Sequence, residues 1–279
     1  MMTKYTRYAV ACLIIFAVLF SCNYAGAETS DGTPLGLIKA KEGIASAFSE
    51  LNAHVSRAAS DLSKTGLNGP GARKVLQDLC ESESFIIDCS TVDLKGTMIA
   101  VEPADYKQHE GADIGTQEHV ITLHKTKKPV FSNVFRAVEG FYAVDLEHPV
   151  FFAKRMIGSV SVLFRPETLL AGIIRPLAQD RSLEFMVIQK DSRILYDTDR
   201  ERTGRMIFTD PIYRRYPDLL SLANRMAKEK SGTGSYLLPV KGMDKPARKK
   251  VSWITVNLFA AEWRIAVSQP VSTVQSDLS

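Results

Sequence analysis

Six side chains in one short stretch are of the kinds that hold a small ligand. Ser132, Phe135, Arg136, Tyr142, Asp145 and Glu147 flank the turn Glu139-Gly140. A two-residue loop there pairs Val138 with Phe141, so that Arg136 opposes Ala143, Val134 opposes Asp145 and Ser132 opposes Glu147. Alternate residues of a strand share a face. One face then carries Phe135, Tyr142, Val144 and Leu146; the other carries Ser132, Arg136, Asp145 and Glu147, one basic and two acidic groups. As a solvated surface this polar face holds an Arg136–Asp145 bridge worth under about 1 kcal/mol. As a pocket wall it leaves a carboxylate to select a cationic or hydroxyl-rich ligand, with Tyr142 or Phe135 alongside.

Signatures of catalysis are weaker. His119 and His124 are five residues apart, not the four that places two metal ligands on one helical face, and no H-E-x-x-H is present. Asp197 to Glu201 begins like a calcium loop, but Arg202 and Phe208 stand where such a loop requires Gly and Glu. There is no G-x-S-x-G elbow. Gly232-Thr233-Gly234 lacks the third glycine of a dinucleotide loop and the lysine of a phosphate loop. The 31 carboxylates leave acid–base pairs open, Asp145 with Glu147 among them. The reading is of a binding protein with no catalytic residues, no metal site and no cofactor. Cys80 and Cys89 either close a short disulfide loop, worth about 2–3 kcal/mol, or remain free thiols. Neither has a basic sequence neighbour that would make a reactive thiolate.

The chain has 279 residues, 35 basic and 31 acidic side chains, and 45% hydrophobic residues, enough for a sizeable core. The low net charge and the lack of a basic stripe interleaved with aromatics exclude nucleic acid as a partner. Lys4 and Arg7, the apolar run Ala9 to Phe20, and Ala25-Gly26-Ala27 form the three parts of an export signal over residues 1–27. That run is shorter than the roughly 20 residues of a membrane span. Leu19-Phe20-Ser21-Cys22 resembles a lipobox, which would make Cys22 the lipidated first residue. The expected location is extracytoplasmic, periplasmic or secreted, either free or anchored through Cys22.

Thr33 as cap and Pro34 at the first helical position open a long helix. Its seam of Leu37, Ile44, Phe48, Leu51, Val55, Ala58 and Leu62 ends near Gly66. The seam packs in cis or against a second chain. Asn68-Gly69-Pro70 reads as a break before a helix over residues 72–81. Strands are expected over 85–92, 97–101, 130–138, 141–151 and 157–164, with helices over 117–126 and 168–177. A second series follows: strands over 183–189 and 193–197, a helix over 217–230 ended by Ser231-Gly232-Thr233-Gly234, then strands over 236–240, 251–258 and 263–267. The repeat is one of architecture, an α+β layout in which each half is an antiparallel sheet with flanking helices. Tyr196, Tyr213, Tyr216, Tyr236 and Trp253 form the core of the second half or line a smaller cavity. Arg205, Asp210 and Tyr213 read as anchors of a connection. Lys245, Arg248, Lys249 and Lys250 read as a solvated hairpin tip.

Taken in order, DSRILYDTDRERTGRMIFTDPIYRRY (191–216), SGTGSY (231–236) and KKVSWITVNLFAAEWRIAVSQ resemble the second half of tandem Cache domains. CSTVDLKGTMIAVEPADYKQHEG and SNVFRAVEGFYAVDLEHPVF resemble their leading subdomain. The resemblance implies a long N-terminal helix packed on two tandem PAS-like subdomains, with a small metabolite bound mostly in the first. It divides the chain into residues 34–82, helical; 83–178, the membrane-distal subdomain; 179–270, the second subdomain; and a tail over 271–279. The amino-acid-binding branch of the family places an Asp near the position of Leu163 and carries an aromatic-rich arginine motif not recognisable here. The expected ligand is therefore not an α-amino acid. The alternative role is that of an accessory subunit docking through the first helix on a membrane receptor or a second copy.

Overall fold

The computed structural model describes residues 28–29, 32–178, 183–238 and 247–271. The expected export segment and the lipidation site Cys22 lie outside the described residues.

Helix α1 (Leu35–Thr65) forms because its apolar residues recur on one stripe. It starts one residue later than expected, with Pro34 extended at the cap, and stops at Gly66, whose φ of 80° a residue with a Cβ adopts only with strain. Leu37, Ile44, Leu51, Val55, Ala58 and Leu62 are all buried within the chain. The seam is therefore occupied in cis. Helix α2 (Gly69–Cys80) corrects the expected break: Asn68 Oδ1 accepts from Gly69 N at 2.7 Å and Pro70 lies in the first turn. Proline is tolerated there because its missing N–H would have had no helical partner.

The first sheet comprises β1 (Ile86–Asp93), β2 (Met98–Glu102), β3 (Val130–Phe131), β4 (Phe135–Arg136), β5 (Tyr142–Phe152) and β6 (Arg155–Phe164). Its order is β2-β1-β6-β5-β3, with β4 also on β5. Helices α3 (Glu118–Thr126) and α4 (Pro166–Ile174) flank it. The second sheet comprises β7 (Glu184–Gln189), β8 (Ile194–Asp197), β9 (Gly232–Leu238), β10 (Ala247–Leu258) and β11 (Ala261–Pro270), with α5 (Pro217–Lys228) on it. Its order is β8-β7-β11-β10-β9. With the short pieces β3 and β4 counted as one strand, each sheet has the same antiparallel order along its own half: second, first, fifth, fourth, third. This is the repeat that the residues alone showed only as architecture.

The apolar faces meet around α1. Phe48 sits edge-on to Phe131 at 5.1 Å and to Phe259 at 5.6 Å, one ring from each half. Two further expectations fail. Helix α5 ends at Lys228, and Gly232 to Gly234 open strand β9 rather than ending the helix; Lys249 is 1% exposed, ion-paired with Glu184 instead of solvated. Arg205 does anchor its loop, meeting Asp210 at 2.8 Å.

Candidate ligand-binding site

The expected hairpin register is off by one residue at β4 and by two at β3. Phe135 pairs with Ala143, Arg136 with Tyr142, and Phe131 with Leu146. The loop between the strands is longer than two residues, since Ala137 N donates to Phe141 O at 2.9 Å, and β3 and β4 are two short pieces instead of one strand. The one-residue slip at β4 moves its side chains to the opposite face, whereas the two-residue slip at β3 leaves Ser132 on the face it was expected on. Phe135 consequently joins the face of Asp145, and Arg136 leaves it. Arg136 is exposed and Tyr142 is 53% exposed, its ring covered by Arg193 at 4.7 Å. The polar face thus keeps Ser132, Asp145 and Glu147 from the expected set, gains Phe135, and loses its cation.

Cross-strand register adds residues that the hairpin alone could not show. Asp88 of β1 and Asp145 of β5 both pair with Leu163 of β6, so the three form one row. Ser90, Ser161 and Glu147 form the next row. Ser161 Oγ donates to Asp145 Oδ2, and Ser159 Oγ donates to Glu147 Oε1 at 2.5 Å. Ser132 Oγ accepts from Asp145 N at 2.8 Å. Helix α3 lays His119 over the row, its ring 4.7 Å from that of Phe135 and its Nε2 3.9 Å from Asp145. Asp88, Asp145, Glu147 and His119 are each no more than 4% exposed.

These acids are buried without a countercharge. Asp88 Oδ2, Asp145 Oδ1, Glu147 Oε2 and His119 Nε2 make no hydrogen bond. Burial pushes the Asp88 carboxyl up to about 8 and that of Glu147 to about 7. Asp145 is raised by burial and then by the nearby Glu147. Burial lowers His119 to about 4, so its imidazole is neutral and brings no charge. The second subdomain solves the same problem differently: Lys249 reaches Glu184, Arg202 lies 3.8 Å from Asp197, and the Tyr236 hydroxyl meets Ser268 Oγ at 3.2 Å. Of the aromatics expected to line a cavity there, Tyr213 and Tyr236 do so, whereas Trp253 is fully packed core. Arg264 of the E-W-R stretch is buried, and its Nε donates to Met226 O and Glu229 O at the end of α5.

Beside Asp88 and Asp145 the free space is about 20 Å³, room for water. Next to it, across Gln117 and Phe135, lies a groove of about 310 Å³ that also touches His119, Ser132 and Arg136, within the range of small-ligand sites. Among the described residues no group of three or more His, Cys, Asp or Glu side chains converges as metal ligands. Cys80 and Cys89 are free thiols here, with Cys80 Sγ donating to Glu102 O at 3.2 Å.

Residues 46–166 match the family model described as "HK/GC/Chemotaxis protein-like, sensor domain". No curated protein matches the chain. Among solved structures, an extracellular ligand binding receptor from Desulfohalobium retbaense is similar at 31% identity and a TM-score of 0.71, over 84% of this chain and 39% of the receptor. The chain thus spans about two fifths of that receptor's length. The ligand-binding domain of the Pseudomonas aeruginosa chemoreceptor PctB with L-Arg is similar at 15% identity and a TM-score of 0.57, over 86% of this chain and 93% of that one. That of the Pseudomonas fluorescens chemoreceptor CtaA with L-alanine gives 14% and 0.59, over 84% and 94%. No helix among the described residues is long and apolar enough to cross a membrane. Residues 46–166 therefore resemble an HK/GC/chemotaxis-protein sensor domain, and the described chain has the two-subdomain Cache-type fold of the ligand-binding domains it matches.

Proposed function

We propose that the chain is an extracytoplasmic binding module, not an enzyme, whose first subdomain captures a small organic cation such as an amine. One observation carries this reading: Asp88 and Asp145 flank Leu163 in a single row, both buried, each with an oxygen that no described residue satisfies. An unpaired buried carboxylate costs several kcal/mol. Such a group holds its proton or waits for a cation from outside. An ammonium bound between the two would supply the charge that Lys249 supplies in the second subdomain. The aromatic ring of Phe135 adds a face on which a cation rests well. The similar receptors PctB and CtaA were solved with L-Arg and L-alanine. A zwitterion also needs a cation for its carboxylate; the cavity beside Asp88 and Asp145 holds none, and the adjoining groove offers only the exposed Arg136.

The test is a thermal-shift series at pH 8 with putrescine, choline, L-alanine and succinate. Putrescine, whose primary ammonium has the size of the water-sized space and N–H groups to donate, is expected to raise the melting temperature saturably, choline to do so less or not at all, and Asp145→Asn to remove the rise. A rise with L-alanine alone would replace the amine reading by the amino-acid one. A folded protein stabilised by none of the four would contradict the cation site.

A further inference from the structure

A second concavity lies between the two subdomains, away from the acidic row. Its walls are α4 on one side and, on the other, β8 with the turn at Arg200–Arg202; its volume is about 660 Å³. Arg175, just past α4, and Arg200 both stand on it, exposed. Tyr196, 6% exposed, also lines it. A smaller groove of about 240 Å³ shares Glu167 and Thr203 with the first and adds Arg165 and Arg193. Arg165 lies over the Phe141 ring at 4.5 Å and Arg193 over Tyr142 at 4.7 Å.

Charge decides what this cleft accepts. Arg73, Arg202, Arg205, Arg225, Arg248 and Arg264 each lie within 4.0 Å of a carboxylate. The four arginines of the cleft and its adjoining groove have no such partner among the described residues, as is also true of the scattered surface arginines Arg57, Arg136, Arg155, Arg214 and Arg215; only here do four converge. Of the two acids on the walls, Asp197 is buried and faces Arg202 at 3.8 Å, which leaves Glu167 against four guanidinium groups. Stacking holds two of those guanidiniums in place, and a weakly hydrated planar fork binds oxyanions in pairs of parallel hydrogen bonds.

We propose that this cleft is a second ligand site, for a small oxyanion bearing carboxylate or phosphate groups. An occupant there bridges the last helix of the first subdomain and the turn after β8, so it ties the two halves together as it binds. The site differs from the acidic row in charge, in location and in every residue used.

The test is calorimetric titration of the full chain with citrate and, separately, with inorganic phosphate, in about 150 mM NaCl so that loose surface attraction is screened. Saturable binding of at least one of them is expected. Arg175→Gln with Arg200→Gln should weaken it by about tenfold or more. Gly172 lines the cleft, and a Cβ built on it meets nothing within 4 Å, so Gly172→Leu grows from open space, narrows the cleft and favours the helix. That variant should also lose binding while melting no lower than the wild type. Asp145→Asn should leave it unchanged, which separates this site from the cation site. Citrate without phosphate identifies a carboxylate ligand; binding of phosphate, alone or alongside citrate, identifies general oxyanion recognition. No saturable heat with either anion from a folded protein overturns the proposal, as does binding that survives both the double arginine variant and Gly172→Leu.

Discussion

Asp88, Asp145 and Glu147 show what the site does to single residues. Each carboxyl is raised by burial, so the folded state keeps protons that the unfolded chain has released. Stability must therefore fall as pH rises above the ordinary carboxylate range, and the contributions of Glu147 and Asp88 are lost once pH passes their raised values of about 7 and about 8. The buried histidines His119 and His148, lowered to about 4, act in the opposite direction, but only below about 6.5, where the unfolded imidazole takes a proton. Between pH 6.5 and 8 the carboxyls act alone. Without ligand the melting temperature is expected to fall across that window, each group contributing up to about 1.4 kcal/mol per pH unit. Asp88→Asn should flatten the fall, as recorded by differential scanning calorimetry. An unchanged slope in that variant would mean Asp88 is already ionised in the folded protein.

The elements were largely legible in the residues, and the site only in part. The α1 seam, the helices and most strands follow from period alone, because each apolar stripe has a face to bury. Register was not legible: the loop after β4 is longer than the Glu139-Gly140 pair implied, and the slip exchanged Phe135 with Arg136. The row could not be foreseen either, because it depends on β6 crossing to lie between β1 and β5. A local signal did exist. Asp88 with Ser90, Asp145 with Glu147, and Ser159 with Ser161 each place small polar or acidic groups two apart in otherwise apolar strands. Lys249 was misread because a charged stretch near a hairpin tip looks solvated until its partner Glu184, 65 residues away, is known. Strand β9 yields a further test. A Cβ at Gly232 would lie 2.4 Å from the Trp253 ring. Gly232→Ala is expected to destabilise the protein by roughly 1–3 kcal/mol in urea unfolding; a neutral result would show that the ring yields easily.

For the molecule as a whole, α1 joins two sheets of the same strand order. Phe48 touches both, through Phe131 and Phe259, so the halves share one packed seam. Phe48→Ala is expected to cost about 2–4 kcal/mol and to lower hydrogen-exchange protection in β5 and β10 together. Loss confined to one strand would show that the halves open separately. Coupling of this kind would let an occupied first subdomain be felt in the second. The inter-subdomain cleft lies where a second ligand would reinforce or oppose that effect.

The central claim is that the acidic row of the first subdomain is a cation site completed from outside. Calorimetric titration with putrescine at pH 6 and pH 8, on the wild type and on Asp145→Asn, tests it most directly. Binding is expected to be tighter at pH 8 than at pH 6 by about tenfold or more, because the carboxyls must lose their protons to receive the amine, and to vanish in the variant. Equal affinity at both pH values, or binding retained by Asp145→Asn, would contradict it.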